Sequence, residues 1–141
     1  MKINKIALVF IAAAAPLFWA NTGFAHCDGL DGPVVKAAQR ALDSGELNSV
    51  LIWVAQSNEA EIKSLFEKTL AVRQLNAQAK ELADLYFFET LVRIHRASEG
   101  APYTGLKPVG RDLGPAITAA DRALETRSLR ELLSILTETV T

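Results

Sequence analysis

The sequence contains few residues of the kinds that usually form reactive or charged sites. Among its 141 residues there are one cysteine, two histidines and one methionine, and the formal net charge is −1. It has no dense run of lysine and arginine, so it lacks the basic face with which nucleic-acid-binding proteins displace counterions from phosphates. We therefore expect no nucleic-acid partner.

Several catalytic motifs are also absent. The chain has no G-x-S-x-G nucleophile elbow and no glycine-rich loop of the kind that cradles phosphates. The sequence around its single thiol does not match a cysteine-protease motif, in which a base and an orienting partner hold the thiol. These absences exclude the usual serine hydrolases and cysteine proteases, and no nucleotide cofactor is expected.

The first 25 residues have the order of a secretory signal peptide. Residues 1–5 include two lysines, residues 6–15 form an apolar run, and Pro16 ends it. A membrane-spanning helix needs about 20 apolar residues, so this run is too short to serve as an anchor. Signal peptidase selects small residues at the third-last and last positions before its cut, and Gly23 with Ala25 fits that rule. We predict cleavage after Ala25.

The predicted mature chain starts at His26 and forms a single domain over residues 26–141. Loss of Lys2 and Lys5 changes the formal charge from −1 to −3. The expected location is secreted or periplasmic, with no membrane attachment after cleavage. A lipoprotein cut before Cys27 is the alternative, although it would place the bulky His26 where a small residue is needed.

After Pro33 the apolar residues recur at intervals of three and four, and short β-branched runs between hairpin turns are absent. We therefore predict an all-α fold, a compact bundle of four longer helices with one or two short ones. Capping residues and the positions of proline and glycine set the helix boundaries. The predicted helices are 33–44, 46–56, 58–75, 77–98, 115–126 and 128–140.

A loop rich in glycine and proline separates the fourth and fifth predicted helices. It runs from Glu99 to Gly114 and contains Tyr103. Loops of this length within small bundles are often functional, but a plain surface crossover between two antiparallel helices fits as well. The sequence leaves both interpretations open.

The predicted mature N-terminus is the most distinctive chemical feature. An N-terminal His26 offers its α-amine and an imidazole nitrogen to one ion, which closes a six-membered chelate, and Cys27 adds a thiolate. The reference pKa of an α-amine is about 7.7 to 8.0, so a metal can displace its proton at neutral pH. This site exists only after cleavage.

Cys27 is the one cysteine of a chain that is predicted to enter an oxidising compartment. An unpaired cysteine there calls for an explanation as a metal ligand, a partner in an intermolecular disulfide or a reactive thiol. The structural alternative is an inert residue packed under the first helix. The flanking Asp28, Gly29 and Asp31 are typical of a turn, which favours the functional interpretations.

These residues resemble the metal-binding hook of nickel superoxide dismutase, a small exported helical-bundle enzyme. Its mature chain begins His-Cys-Asp-x-x-Cys-Gly, and here His26, Cys27 and Asp28 match the first three positions while Gly32 matches the glycine. The resemblance implies that His26 supplies its amine and imidazole, and Cys27 its thiolate and a deprotonated backbone amide. Beyond these residues it extends only to the helical plan, and otherwise the chain is similar to uncharacterised small exported bacterial proteins.

Two positions depart from that pattern. Asp31 occupies the place of the second cysteine, and Val34 that of a tyrosine near the open face of the metal. A missing thiolate removes a strong donor that helps to bring the nickel couple into range for superoxide. An amine, an imidazole, one thiolate and a carboxylate from Asp28 or Asp31 still predict a site for copper or nickel, with zinc as a further alternative.

His95 is the second histidine of the mature chain. It follows Phe88 by seven residues and Leu91 by four, so it shares their apolar helix face. One interpretation is a core histidine that hydrogen-bonds a neighbour. The other is a histidine brace, in which His95 joins the amine and imidazole of His26 on one ion, usually copper.

The sequence therefore predicts an exported helical protein that binds a transition metal ion through His26 and Cys27, with Asp28, Asp31 or His95 completing the shell. Redox chemistry resembling superoxide dismutation is one expected function, and metal carriage or buffering is the alternative. A metal-free interaction module, with Cys27 pairing to a partner thiol, is the third hypothesis. Homo-oligomerisation is left open.

Overall fold

The structure is a computed structural model that describes the backbone of residues 26–140. The predicted signal segment, residues 1–25, lies outside the described residues. The described part is helical and has no strand, which confirms the all-α prediction. Its helices are α1 (Pro33–Ser44), α2 (Asn48–Leu51), α3 (Glu59–Val72), α4 (Ala77–Ser98), α5 (Gly114–Thr126) and α6 (Arg130–Val140).

Helix boundaries follow the capping chemistry where that chemistry is present. α1 begins with Pro33 in its first turn and ends at Gly45, whose φ of 77° is left-handed. α4 begins after Asn76, whose side-chain oxygen accepts a hydrogen bond from the Ala79 amide at 2.8 Å. Both helices have the predicted bounds.

The predicted bounds are wrong for two segments, 46–56 and 58–75, and the second of these is helical only over Glu59–Val72. The segment predicted as helix 46–56 is helical only over Asn48–Leu51, and a turn and a 3₁₀ turn at Gln56–Asn58 follow. The predicted capping box at Asn58 is not formed, because Asn58 has helical backbone angles and its side chain makes no capping hydrogen bond. A capping side chain reaches the first free amides from an extended backbone, and Asn58 does not offer that geometry.

The core lies where α4 packs against both α1 and α3. The rings of Phe66 and Phe87 are 5.6 Å apart, and Phe87 is fully buried. Burial of one such side chain contributes about 1.5–3 kcal/mol. The largest fully buried side chains are Phe87, Ile62, Leu91, Val34, Val35, Val50 and Val92.

We expect Asn76→Ala to lower the free energy of unfolding by about 1 kcal/mol, because it removes the cap of the longest helix. Asn58→Ala is the matched control, since that asparagine caps nothing, and a surface change of this kind stays within about 0.5 kcal/mol. Urea denaturation of both variants measures the difference. Equal losses would contradict the assignment of the cap.

Candidate metal centre

The predicted metal hook, residues 26–32, folds into a compact turn at the start of the described chain. Residues His26–Asp28 form a 3₁₀ turn, the Gly29 amide donates to the His26 carbonyl at 3.2 Å, and the Gly32 amide donates to the Gly29 carbonyl at 2.8 Å. A Cβ on Gly32 would lie 2.5 Å from the His26 carbonyl oxygen. Glycine is therefore needed at position 32 for the chain to close this tightly.

The Glu99–Gly114 loop holds this turn in place. Its Lys107 amide donates to the Asp28 carbonyl at 2.8 Å, and its Lys107 carbonyl accepts from the Leu30 amide at 3.0 Å. This pairing forms a parallel bridge between Gly29 and Lys107. The loop therefore does more than connect α4 and α5, because its backbone is hydrogen-bonded to the segment that follows His26.

The His26 imidazole contacts α5. Its Nε2 lies 2.7 Å from the Oδ2 atom of Asp121. A carboxylate accepts hydrogen bonds, so Nε2 donates, and a neutral ring in this orientation would carry its lone pair on Nδ1. Nδ1 is buried and has no hydrogen-bond partner among the described residues. The ring is therefore oriented by one nitrogen while the other is free.

A cavity of about 300 Å³ lies beside this pair. The side chains of α1 and α5 form two of its walls, and both cationic and anionic groups line it. Its lining residues are His26, Asp31, Pro33, Lys36, Arg40, Trp53, Asp121, Leu124 and Glu125. A small molecule in this cavity would contact His26 directly.

His95 is buried, as its helix face predicts, with only 7% of the residue exposed. Its Nδ1 lies 2.9 Å from the Trp53 carbonyl oxygen, which can only accept, so Nδ1 donates. The Nε2 atom is buried without a hydrogen-bond partner, 3.6 Å from an oxygen of Glu99. The Trp53 ring packs edge-on against His95 at 5.6 Å and also lines the cavity beside His26.

Cys27 lies in a less polar environment than a reactive thiol prefers. It is half-buried and packs against the apolar core. Burial raises the pKa of the Cys27 thiol, the carboxylates of Glu99 and Asp28 raise it further, and the Arg96 guanidinium lowers it. The free thiol therefore favours its protonated form, and a metal would have to displace that proton to bind it.

The two predicted carboxylate ligands bind other groups in this structure. Asp28 is buried, and its Oδ1 lies 3.5 Å from the Nε of Arg96. Asp31 accepts a hydrogen bond from the Gly110 amide at 2.8 Å, and this bond holds the pKa of the Asp31 carboxyl below its usual value. Both carboxylates thereby help to fix the turn and the loop.

Within residues 26–140, no three side chains of the His, Cys, Asp and Glu types are placed so that they could hold a metal ion. In the uncleaved chain the His26 nitrogen is a peptide nitrogen, so the amine on which the predicted chelate depends is not yet formed. His26 contacts α5, His95 contacts Trp53, and Cys27 packs on the core. The metal site stays a prediction for the processed chain.

The comparison with protein families is informative over most of the domain. The profile of a family of unknown function, DUF6448, matches residues 31–141. The chain belongs to this family. The DUF6448 match includes Asp31, His95 and Asp121 but begins after His26 and Cys27. Neither the curated proteins nor the solved structures include a match to the chain.

Within the described part of the chain, no helix is long and apolar enough to span a bilayer.

We expect native Cys27 to react with iodoacetamide more slowly at pH 8 than it does in the urea-unfolded chain. The thiolate is the reacting form, and burial disfavours it in the fold. Mass spectrometry of timed samples measures both rates. A native rate equal to or above the unfolded rate would show that the thiol is exposed and activated instead.

Proposed function

We propose that the processed protein binds a copper or nickel ion at its N-terminus and uses it for one-electron chemistry on a small oxygen species. The proposed ligands are the His26 amine and Nδ1, the Cys27 thiolate and Nε2 of His95. The described structure does not bring these three side chains together on one ion, so the proposal requires the segment at His26 to rearrange when the chain is processed. The observation that carries this proposal is shared by both histidines. In each, one ring nitrogen is bound to an acceptor and the other is buried without a hydrogen-bond partner, although Nε2 of His95 lies 3.6 Å from a carboxylate oxygen of Glu99.

This arrangement is typical of metal-binding histidines. Such residues usually donate their second ring N–H to a carboxylate or a backbone carbonyl, which fixes the tautomer and makes the free nitrogen a better donor. Asp121 is the acceptor for His26, and the Trp53 carbonyl is the acceptor for His95. The Nδ1 atom of His26 is also the nitrogen that closes a six-membered chelate with its own α-amine.

The proposed ligand set omits two residues that the sequence analysis names as possible metal ligands. Asp28 is paired with Arg96, and Asp31 accepts from the Gly110 amide. Removal of Asp28 from Arg96 would break a largely buried ion pair, which is costly even though Arg96 would keep its contact with Glu99. Their contribution to the proposed site is therefore to hold the hook turn in place.

Burial of the free histidine nitrogens supports catalysis over carriage. A carrier must exchange its ion readily, whereas buried ligand atoms favour retention of the ion. The cavity beside His26 supports access of a small molecule to the site. For superoxide the balance is two superoxide anions and two protons giving one O₂ and one H₂O₂. The metal supplies the reversible one-electron capacity.

The test uses the chain that begins at His26, loaded with one equivalent of Cu(II) or Ni(II). Superoxide decay followed by stopped-flow absorbance should accelerate catalytically, and the ion should exchange slowly into a competing chelator. Rapid transfer of the ion to the chelator without turnover would replace the redox proposal with carriage. Absence of tight binding by either ion would contradict both.

One surface favours a second candidate, a metal-free interaction module. A groove of about 470 Å³ runs along α3 and α4, and its walls are almost wholly apolar. The large exposed apolar residues on or between these two helices are Val72, Leu75, Leu82, Leu85 and Tyr86. Exposed patches of this kind often mark binding surfaces.

The metal-free candidate makes one prediction for each of two variants. Leu82→Lys would abolish association with the partner, and Cys27→Ser would abolish any covalent dimer, while metal content stays unchanged in both. Loss of the metal in Cys27→Ser would contradict the metal-free candidate. Size-exclusion chromatography under non-reducing conditions, together with metal analysis of the same fractions, distinguishes the two functions.

A further inference from the structure

The cavity between α1 and α5 has walls of opposite charge. α1 contributes Lys36 and Arg40, which are four residues apart and therefore lie on one face of the helix. α5 contributes Asp121 and Glu125, which have the same spacing. One wall therefore carries two cations, and the other carries two carboxylates.

The ion pairs of the described residues do not join these two walls. Lys36 and Asp121 each interact with a residue of the hook. Arg40 and Glu125 form no hydrogen bond or ion pair within residues 26–140. Opposite charges therefore remain on the two walls with the cavity between them, and a molecule that carries both charges would pair with each wall.

Two large apolar side chains also line the cavity, those of Trp53 and Leu124. Leu124 is 81% exposed, so an aliphatic group bound in the cavity would remove apolar surface from water. The Nε1 atom of Trp53 is buried without a hydrogen-bond partner among the described residues. An indole N–H can only donate, so it suits a ligand that carries an acceptor.

We propose that this cavity binds a small amino-acid zwitterion with an aliphatic side chain. The carboxylate of the ligand pairs with Arg40, its ammonium group pairs with Glu125, and its side chain contacts Leu124 and Trp53. A volume of about 300 Å³ has room for about ten water-sized groups, which is the size of valine or leucine. This binding needs no metal ion and does not rest on the proposed function.

The charges of the cavity favour a zwitterion over a simple ion. An anion at Arg40 would also approach the carboxylates of α5, and a cation at Glu125 would approach the cations of α1, so each would meet like charge. Solvent-exposed ion pairs contribute little singly. Binding is therefore expected to need both ion pairs together with the apolar contact.

The experiment uses the chain that begins at His26, in metal-free buffer. Trp53 is the only tryptophan of residues 26–141, so its fluorescence reports directly on the cavity. The probes are L-leucine, leucinamide, which lacks the carboxylate, and 4-methylpentanoate, which lacks the ammonium group. Isothermal titration calorimetry repeats each titration, so that binding without a change in fluorescence is also detected.

The variants are Arg40→Gln and Glu125→Gln, with Arg93→Gln as the matched control because Arg93 is exposed on α4 and lies outside the cavity. L-leucine should bind saturably to wild type and to the control, and at least about 5-fold more weakly to each cavity variant. Arg40→Gln should leave the affinity for leucinamide unchanged. Glu125→Gln should leave the affinity for 4-methylpentanoate unchanged.

Two results would overturn the proposal. If leucinamide or 4-methylpentanoate binds wild type as tightly as L-leucine does, the cavity is a site for a simple ion and does not select a zwitterion. If L-leucine shows no saturable binding by fluorescence or by calorimetry, the cavity is a solvent-filled cleft.

Discussion

We expect replacement of His26 by alanine, in a chain that begins at residue 26, to lower the proposed affinity for Cu(II) or Ni(II) by at least about 100-fold. The variant loses the imidazole nitrogen that closes the chelate, and loss of a direct ligand should cost more than the 10- to 100-fold typical of a hydrogen-bonded partner. Competition against a chromophoric chelator measures the affinity at constant pH.

A second chain tests the amine separately. A chain that retains Ala25 has every side chain of the site, but its His26 nitrogen is a peptide nitrogen. We expect a loss of affinity similar to that of His26→Ala. Equal affinity of the chains that begin at Ala25 and at His26 would contradict the N-terminal chelate, and any metal would then bind through side chains alone.

The variant Arg96→Gln should lower the free energy of unfolding by about 3 kcal/mol, because it leaves a buried carboxylate without its cation. Asp28 is 4% exposed, and the Arg96 guanidinium lies against it at 3.5 Å. Arg96 also binds Glu99 at 2.9 Å, so its loss loosens the start of the loop that clamps the hook. Urea denaturation with an unchanged m-value measures the loss.

The matched control is Arg93→Gln, one turn earlier on α4. Arg93 is exposed and pairs with Glu61 at 3.7 Å, so we expect a loss of less than about 1 kcal/mol. The double variant Asp28→Asn/Arg96→Gln should lose less than the sum of its single variants, because the unpaired charge is gone. Equal losses in Arg93→Gln and Arg96→Gln would show that the Asp28 contact contributes nothing.

Helices were predictable from the sequence where local chemistry determines them. The bounds of α1 follow from Pro33 and Gly45, and those of α4 follow from Asn76 and a long stretch without breakers. The prediction was wrong over 46–56, where apolar residues form a nearly continuous run. There Trp53 and Val54 pack against the core from a turn, because tertiary burial determines their conformation more than helical periodicity does.

The candidate site was predictable only in part, because contacts between distant parts of the chain orient its histidines. The hook residues are local in sequence, and the burial of His95 follows from the face it shares with Leu91. The partners that orient the two rings could not be predicted. Asp121 and the Trp53 carbonyl are distant in sequence from the histidines they bind, and nothing about an aspartate in an amphipathic helix marks it as a partner of His26.

The most direct test of the account is the intact mass and metal content of the protein, purified under native conditions from the compartment to which the predicted signal peptide would direct it. The account predicts a mass that begins at His26 and a near-stoichiometric content of copper or nickel that is lost in His26→Ala. A different N-terminus, or a chain that begins at His26 and binds neither ion tightly, would contradict it.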